Sequence, residues 1–143
     1  MPYSFLDEIA TADIAFEAWA ETLEEMFAAA ADATMNVMVE NLESIEEKET
    51  REIRLEAEAE DMLLFGLLQE IIFYKDAEEL LLRLREIKIT GEGTTFSVLA
   101  TGYGEKIDRG RHDFIVDVKA VTLHKFKVEQ TSRGWETLII LDI

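Results

Sequence analysis

Thr50-Arg51-Glu52-Ile53-Arg54-Leu55-Glu56-Ala57-Glu58-Ala59 alternates strictly, with Ile53, Leu55, Ala57 and Ala59 set against Arg54, Glu56 and Glu58. An apolar/polar period of two describes a half-buried strand. The pattern then changes. Asp61-Met62-Leu63-Leu64-Phe65-Gly66-Leu67-Leu68 runs on through Ile71, Ile72 and Phe73 to Lys75 with no alternation and with apolar residues almost all round. That composition predicts a helix over 61–75, with Asp61 near its N-terminus, buried between other elements. Core packing explains its Met and aromatic positions better than a ligand pocket does. A strand leading directly into a helix sets the terms for the rest of the chain.

On the N-terminal side the same succession occurs. Residues 13–20 alternate loosely, Ile14, Phe16 and Ala18 against Ala15, Glu17 and Trp19, and read as a strand. Thr22-Leu23-Glu24-Glu25 is a capping box, in which the hydroxyl takes one free N–H and the glutamate reaches back to another. Leu23, Met26, Phe27, Ala30, Thr34, Val37 and Met38 follow at helical spacing, which predicts a helix ending near Val39. On the C-terminal side the pattern from residue 83 is β. Strands are predicted at 84–90, 95–102, 114–121, 123–130 and 135–143. Turns are predicted at Gly91-Glu92-Gly93 and Ser132-Arg133-Gly134, and a polar loop from Gly104 to Asp113. Glycine occurs only from Gly66 onward, and Pro2 is the only proline. The order β-α-β-α followed by a run of strands predicts an α+β fold, with two helices packed on a largely antiparallel sheet. At 143 residues with neither linker nor repeat, one domain over 1–143 is expected.

The net charge is −17, and it is unevenly spread. Residues 1–60 hold 17 acids and 3 bases, while residues 61–143 hold 14 acids and 11 bases. A surface this acidic repels phosphate backbones, so strong direct binding of nucleic acid is not expected. It suits a basic protein partner or a cation, and solubility alone also accounts for it. Cysteine is absent, which removes disulfides, thiolate chemistry and cysteine–zinc sites. No apolar run approaches the ~18 residues of a membrane span, and Met1-Pro2-Tyr3-Ser4 has no signal-peptide character, so a cytoplasmic protein with no membrane partner is expected.

The residues that could carry chemistry are few. The strand ending in Leu141-Asp142-Ile143 sets a side-chain carboxylate beside the main-chain carboxylate of Ile143. Two carboxylates held side by side repel unless a hard cation or a lysine sits with them. Asp13, in Ala10-Thr11-Ala12-Asp13, is a further candidate acid, although a turn or capping role is the commoner one for a lone aspartate. Asp117 and Lys119 lie two apart on one predicted strand and so share a face, where a surface ion pair contributes ~0–1 kcal/mol. His112 and His124 are the only histidines and have no metal-ligand spacing, so each reads as a surface or hydrogen-bonded side chain. There is no phosphate-binding glycine loop and no nucleophile motif. Read this way, the chain is an acidic α+β protein with one candidate oxygen-ligand cation site and is not an obvious enzyme.

Five segments in register resemble the archease family. They are Ala10-Thr11-Ala12-Asp13, Thr22-Leu23-Glu24-Glu25, Glu60-Asp61-Met62-Leu63-Leu64, Val118-Lys119-Ala120-Val121-Thr122-Leu123-His124 and Asp142-Ile143. Gly102-Tyr103-Gly104-Glu105 and Arg111-His112 also match. The chain departs from the family pattern at Ala10, where the family has histidine, at the extra Glu8-Ile9, and at Ala15-Phe16 in place of a glycine. The resemblance implies a non-enzymatic accessory factor for an RtcB-type RNA-splicing ligase, promoting its guanylylation and turnover in tRNA splicing. It also implies a divalent cation, most often calcium and alternatively magnesium or manganese, held by Asp13, Asp142 and the Ile143 carboxylate, with Lys119 touching the partner or a nucleotide. The alternative it carries is a chaperone-like interaction module acting on tRNA-methylating enzymes. An independent metal-dependent hydrolase is disfavoured, because a histidine cluster is missing.

Overall fold

The computed structural model describes residues 2–6 and 13–143. Residues 7–12, which include Glu8-Ile9 and the Ala10-Thr11-Ala12 part of the first motif, lie outside the described residues. The elements run β1 (Tyr3–Phe5), β2 (Asp13–Ala20), α1 (Leu23–Met38), a 3-10 turn (Leu42–Ser44), β3 (Glu49–Ala57), α2 (Glu60–Glu78), β4 (Leu80–Glu92), β5 (Thr95–Lys106), β6 (Ala120–Val121), β7 (Lys127–Thr131) and β8 (Gly134–Asp142). The α+β class with two helices on antiparallel sheet holds, and the sheet is divided in two. One sheet has the order β1-β2-β8-β6, with β7 also on β8; the other has the order β3-β5-β4. Every strand pair among the described residues is antiparallel.

α1 starts at the predicted Thr22 cap with half of the capping box formed, because the Glu25 carboxylate accepts from the Thr22 hydroxyl and not from a backbone N–H. The Thr22 hydroxyl accepts from the Glu25 N–H at 3.1 Å, and Val39 caps the other end. The buried side of α1 carries Met26, Phe27, Ala30, Met35 and Met38, and packs on β2 and β8 of one sheet and β4 of the other. Ala29, Ala30, Ala31 and Ala33 allow that close approach on two sides. Arg83 of β4 grips Asp32 of α1 with two bonds of 3.1 Å, a fork-on-fork pair between helix and sheet. α2 covers β3, β4 and β5 and reaches β6 and β7. It is less enclosed than its composition predicts. Leu63, Leu64, Leu67, Leu68, Ile71 and Ile72 are buried, but Met62 and Phe73 are 40% and 54% exposed. Only one side of α2 has a neighbouring element, so its apolar surplus faces outward. The buried residues of both sheets and both helices form one core cluster, with Phe16, Phe27, Ile53, Leu64, Leu81, Val98 and Ile139 among its members. Each such side chain contributes about 1.5–3 kcal/mol by leaving water.

Four predicted boundaries are corrected. The predicted turn at Gly91-Glu92-Gly93 lies two residues later, because β4 pairs with β5 as far as Glu92↔Thr95. The predicted loop from Gly104 begins only after Lys106: Gly104, Glu105 and Lys106 still pair with Leu82, Leu81 and Leu80. Gly104 tolerates no side chain there, since a Cβ would stand 1.6 Å from the Leu81 carbonyl oxygen. The predicted strand over 114–121 is a strand only at Ala120–Val121. Before that it is extended chain with a single bridge, Val39↔Phe114, and no ladder beside it. The predicted strand over 123–130 starts at Lys127, because residues 123–126 form a turn in which Lys125 takes φ 53° and the Phe126 N–H reaches the Leu123 carbonyl at 3.2 Å. Alternation alone shows which way side chains point, and it cannot show whether a neighbouring strand is present.

Candidate functional site

β2 and β8 are antiparallel neighbours, so the first residue of one meets the last of the other. Asp13 pairs with Asp142, and on the other side of β8 Ala120 pairs with Asp142. Register partners point to the same face with Cβ atoms about 4.5–5.5 Å apart. The two carboxylates therefore share one face at one corner of the sheet. Ile14, Leu141 and Val121, one residue along each strand, turn the other way into the core. Lys119 immediately precedes β6, and its N–H donates to the Asp142 carbonyl at 2.8 Å. Its side chain is exposed, while Asp13, Asp142 and Ile143 are half-buried. All four residues named from the sequence, Asp13, Lys119, Asp142 and Ile143, thus meet at one corner. The fold brings residue 13 beside residue 142.

The donors at this corner are oxygens, which suit a hard divalent cation and not a thiophilic one. Among the described residues no group of three or more His, Asp or Glu side chains forms a metal site. Asp13 and Asp142 would offer such a cation two carboxylates on one face, fewer than the three ligands of a formed metal group.

The expected Asp117–Lys119 ion pair is not formed. Asp117 instead turns to Lys75, whose side chain is 3% exposed in the last turn of α2. The Lys75 ammonium donates to Asp117 Oδ1 at 2.5 Å, to the Val118 carbonyl at 2.9 Å, and to Asp76. Its three protons meet three acceptors, which is what a buried ammonium needs. Sequence reading missed Lys75, although a signal existed: Leu64, Leu68, Ile71 and Ile72 mark the buried stripe of α2, and Lys75 continues it at helical spacing.

A second buried charge cluster lies beside the Glu49↔Gly104 end of the β3–β5 ladder. The His112 ring is fully buried, so it is the hydrogen-bonded residue expected and not a surface one. The Asp108 N–H donates to its Nδ1 at 2.9 Å, which places the ring proton on Nε2, 3.0 Å from Glu105 Oε2. Glu105 also accepts from the Glu46 N–H at 2.7 Å and from Arg111, whose guanidinium donates to the Ser44 carbonyl as well. The Arg111 guanidinium, more than any other neighbour, holds the Glu105 carboxyl well below the ordinary carboxylate range. Backbone and His112 hydrogen bonds add to this, and burial opposes it. The cluster ties the 44–48 segment and the 107–112 loop to the end of β5. His124 is exposed.

Sequence and fold connect this chain to known proteins. The profile of the archease protein family matches residues 3–143. The chain is similar to protein archease of Pyrococcus abyssi, 37% identical over 134 residues that cover 93% of this chain and 94% of that protein. It is similar to protein archease of Methanopyrus kandleri, 34% identical with both chains covered in full. Its fold superposes on the solution structure of Methanobacterium thermoautotrophicum protein 1598 with TM-score 0.85, at 30% identity and 99% coverage of both chains. The chain belongs to the archease family.

Proposed function

We propose that this protein is an accessory factor of an RtcB-type RNA-splicing ligase, and that it promotes the ligase's guanylylation and turnover through the corner formed by Asp13, Asp142, Ile143 and Lys119. The observation that carries the reading is the Asp13↔Asp142 register with Lys119 bonded to the Asp142 backbone. Residues far apart in sequence converge on one corner of the sheet, and they are the ones the family resemblance singles out. A bound divalent cation, calcium or alternatively magnesium or manganese, would supply a compact positive charge able to neutralise phosphate oxygens. Asp13 and Asp142 would hold it through their carboxylates. Lys119 adds a freely rotating ammonium suited to a carboxylate or phosphate. The chain itself is assigned no catalytic residue. The charge of −17 supports a basic protein partner over direct RNA contact.

The test is guanylylation and multiple-turnover ligation by the cognate ligase, with wild type and with Asp142→Ala. Loss of a cation ligand is expected to reduce stimulation at least about tenfold. Full stimulation by Asp142→Ala points to the interaction-module alternative, and absence of stimulation by wild type refutes the ligase reading.

A further inference from the structure

The extended segment 113–119 delivers Lys119 to the corner, yet among the described residues it has almost no ladder to hold it. Its backbone contacts with other elements are the Glu40 N–H on the Asp113 carbonyl at 3.0 Å and the Ile115 N–H on the Met38 carbonyl at 2.7 Å near one end, and the Lys119 N–H on the Asp142 carbonyl at 2.8 Å at the other. Between them stands Lys75. Its ammonium holds the Asp117 side chain and the Val118 carbonyl together, and Val118 is fully buried beside it. α2 is a rigid element, so Lys75 sets both the depth and the register of residues 117–118. Lys119 is the next residue along the chain.

We propose that Lys75 is a positioning residue for the Asp13–Asp142 corner: it locks residues 117–118 onto α2, and through them fixes Lys119 against Asp142. The inference rests on the proposed function for its consequence in RNA ligation, but its structural part stands apart from that reading. A lysine at this point has a chemical advantage over an apolar residue. Leu or Met would fill the space on α2 but would offer no donor to the Val118 carbonyl and no charge to Asp117. Residues 117–118, between the backbone bonds at either end, would then be held by packing alone, which allows local shifts where directional bonds do not. Asp76 and Asp117 are 55% and 54% exposed, so both carboxylates regain water if the ammonium is removed, and the chain is expected to fold without it.

The experiment is amide hydrogen exchange on the full chain for wild type, Lys75→Met and Asp117→Asn, with ligase stimulation measured in parallel. Lys75→Met is expected to lower protection of the Lys119 amide at least tenfold. The Ile53 and Ala100 amides of the β3–β5 ladder, which do not touch the segment, are expected to keep theirs. Asp117→Asn, which removes the charge of one arm and keeps an acceptor there, is expected to fall between. A merely structural lysine would lower protection at all these sites together, and that uniform loss, or an unchanged Lys119 amide, overturns the proposal. If Lys75→Met loosens Lys119 while the wild type fails to stimulate the ligase, the positioning role stands and the ligase reading falls. If the wild type stimulates and Lys75→Met stimulates equally despite a loosened Lys119, the role at the corner is overturned.

Discussion

Glu105 shows how much one side chain can organise. It accepts from a backbone N–H, a buried imidazole and a guanidinium, and joins segments more than 50 residues apart in sequence. Its carboxyl titrates below its ordinary value of 4.5, because Arg111 above all favours the charged form. The sign of the linkage follows. The folded state binds this proton more weakly than the unfolded chain, so the stability Glu105 contributes is fully present above about pH 4.5 and is lost as pH falls through its folded value. Glu105→Gln is therefore expected to be less stable than wild type at neutral pH, with the gap closing below about pH 4.5. Urea unfolding at a series of pH values from neutral into the acid range would check this. A gap that stays constant or widens on acidification would show that Glu105 is not the group titrating. His112 is held in place by the Asp108 N–H on its Nδ1, which turns its Nε2 toward Glu105.

Among the elements, the β4–β5 pair has the tightest constraint. Gly104 lies where the strands approach so closely that a methyl group would meet the Leu81 carbonyl at 1.6 Å, a backbone contact no rotamer change relieves. Gly104→Ala is expected to cost on the order of 2–4 kcal/mol, measured as a shift in the urea midpoint. A loss under about 1 kcal/mol would mean the strands can separate locally. Further along the same pair β4 accommodates an irregularity. The register slips by one residue between Arg85 and Lys88, and Glu86 takes φ 55° at the bulge. There Glu86 accepts from the hydroxyls of Thr101 and Tyr103, both at 3.3 Å, which gives the extra residue a role on the sheet surface. Gly134 meets a comparable demand in the β7–β8 hairpin. Its φ of 102° lies in the region that favours glycine, and a Cβ would stand 2.4 Å from the Ala20 carbonyl.

Taken whole, the molecule carries −17 at neutral pH, which opposes compaction. Its ion pairs are local: Arg51 with Glu49 and Glu78, Arg83 with Asp32, Arg133 with Glu17 and Glu136. The self-repulsion of the remaining acids acts over longer distances. Raising ionic strength from about 0.01 to 0.15 M shortens the screening length from about 30 to about 8 Å, which removes long-range repulsion while leaving close pairs largely intact. The thermal midpoint is therefore expected to rise over that range of sodium chloride. A fall would show that the ion pairs outweigh the repulsion. No helix among the described residues is long and apolar enough to cross a membrane.

The fold and the corner differ in how far the sequence alone determines them, and the difference lies in where each signal resides. Periodicity and capping are local properties, and they place β2, α1, β3, α2 and β8 in the sequence. The Thr22 hydroxyl and the strict alternation from Ile53 to Ala57 act within a few residues, so no distant contact can disguise them. The same alternation misleads at 114–119, where side chains do turn in and out but the neighbour is a lysine on α2 and not a strand. Asp13, Lys119, Asp142 and Ile143 can be named in the sequence as candidates, since their chemistry is intrinsic. Their meeting cannot, because it depends on β2 and β8 lying antiparallel and in a register that closes Asp13 on Asp142. Lys75 and Glu105 are hidden for the same reason. A charged residue is read as solvated until its partners are known, and theirs come from segments brought close only when the two sheets and two helices share one core.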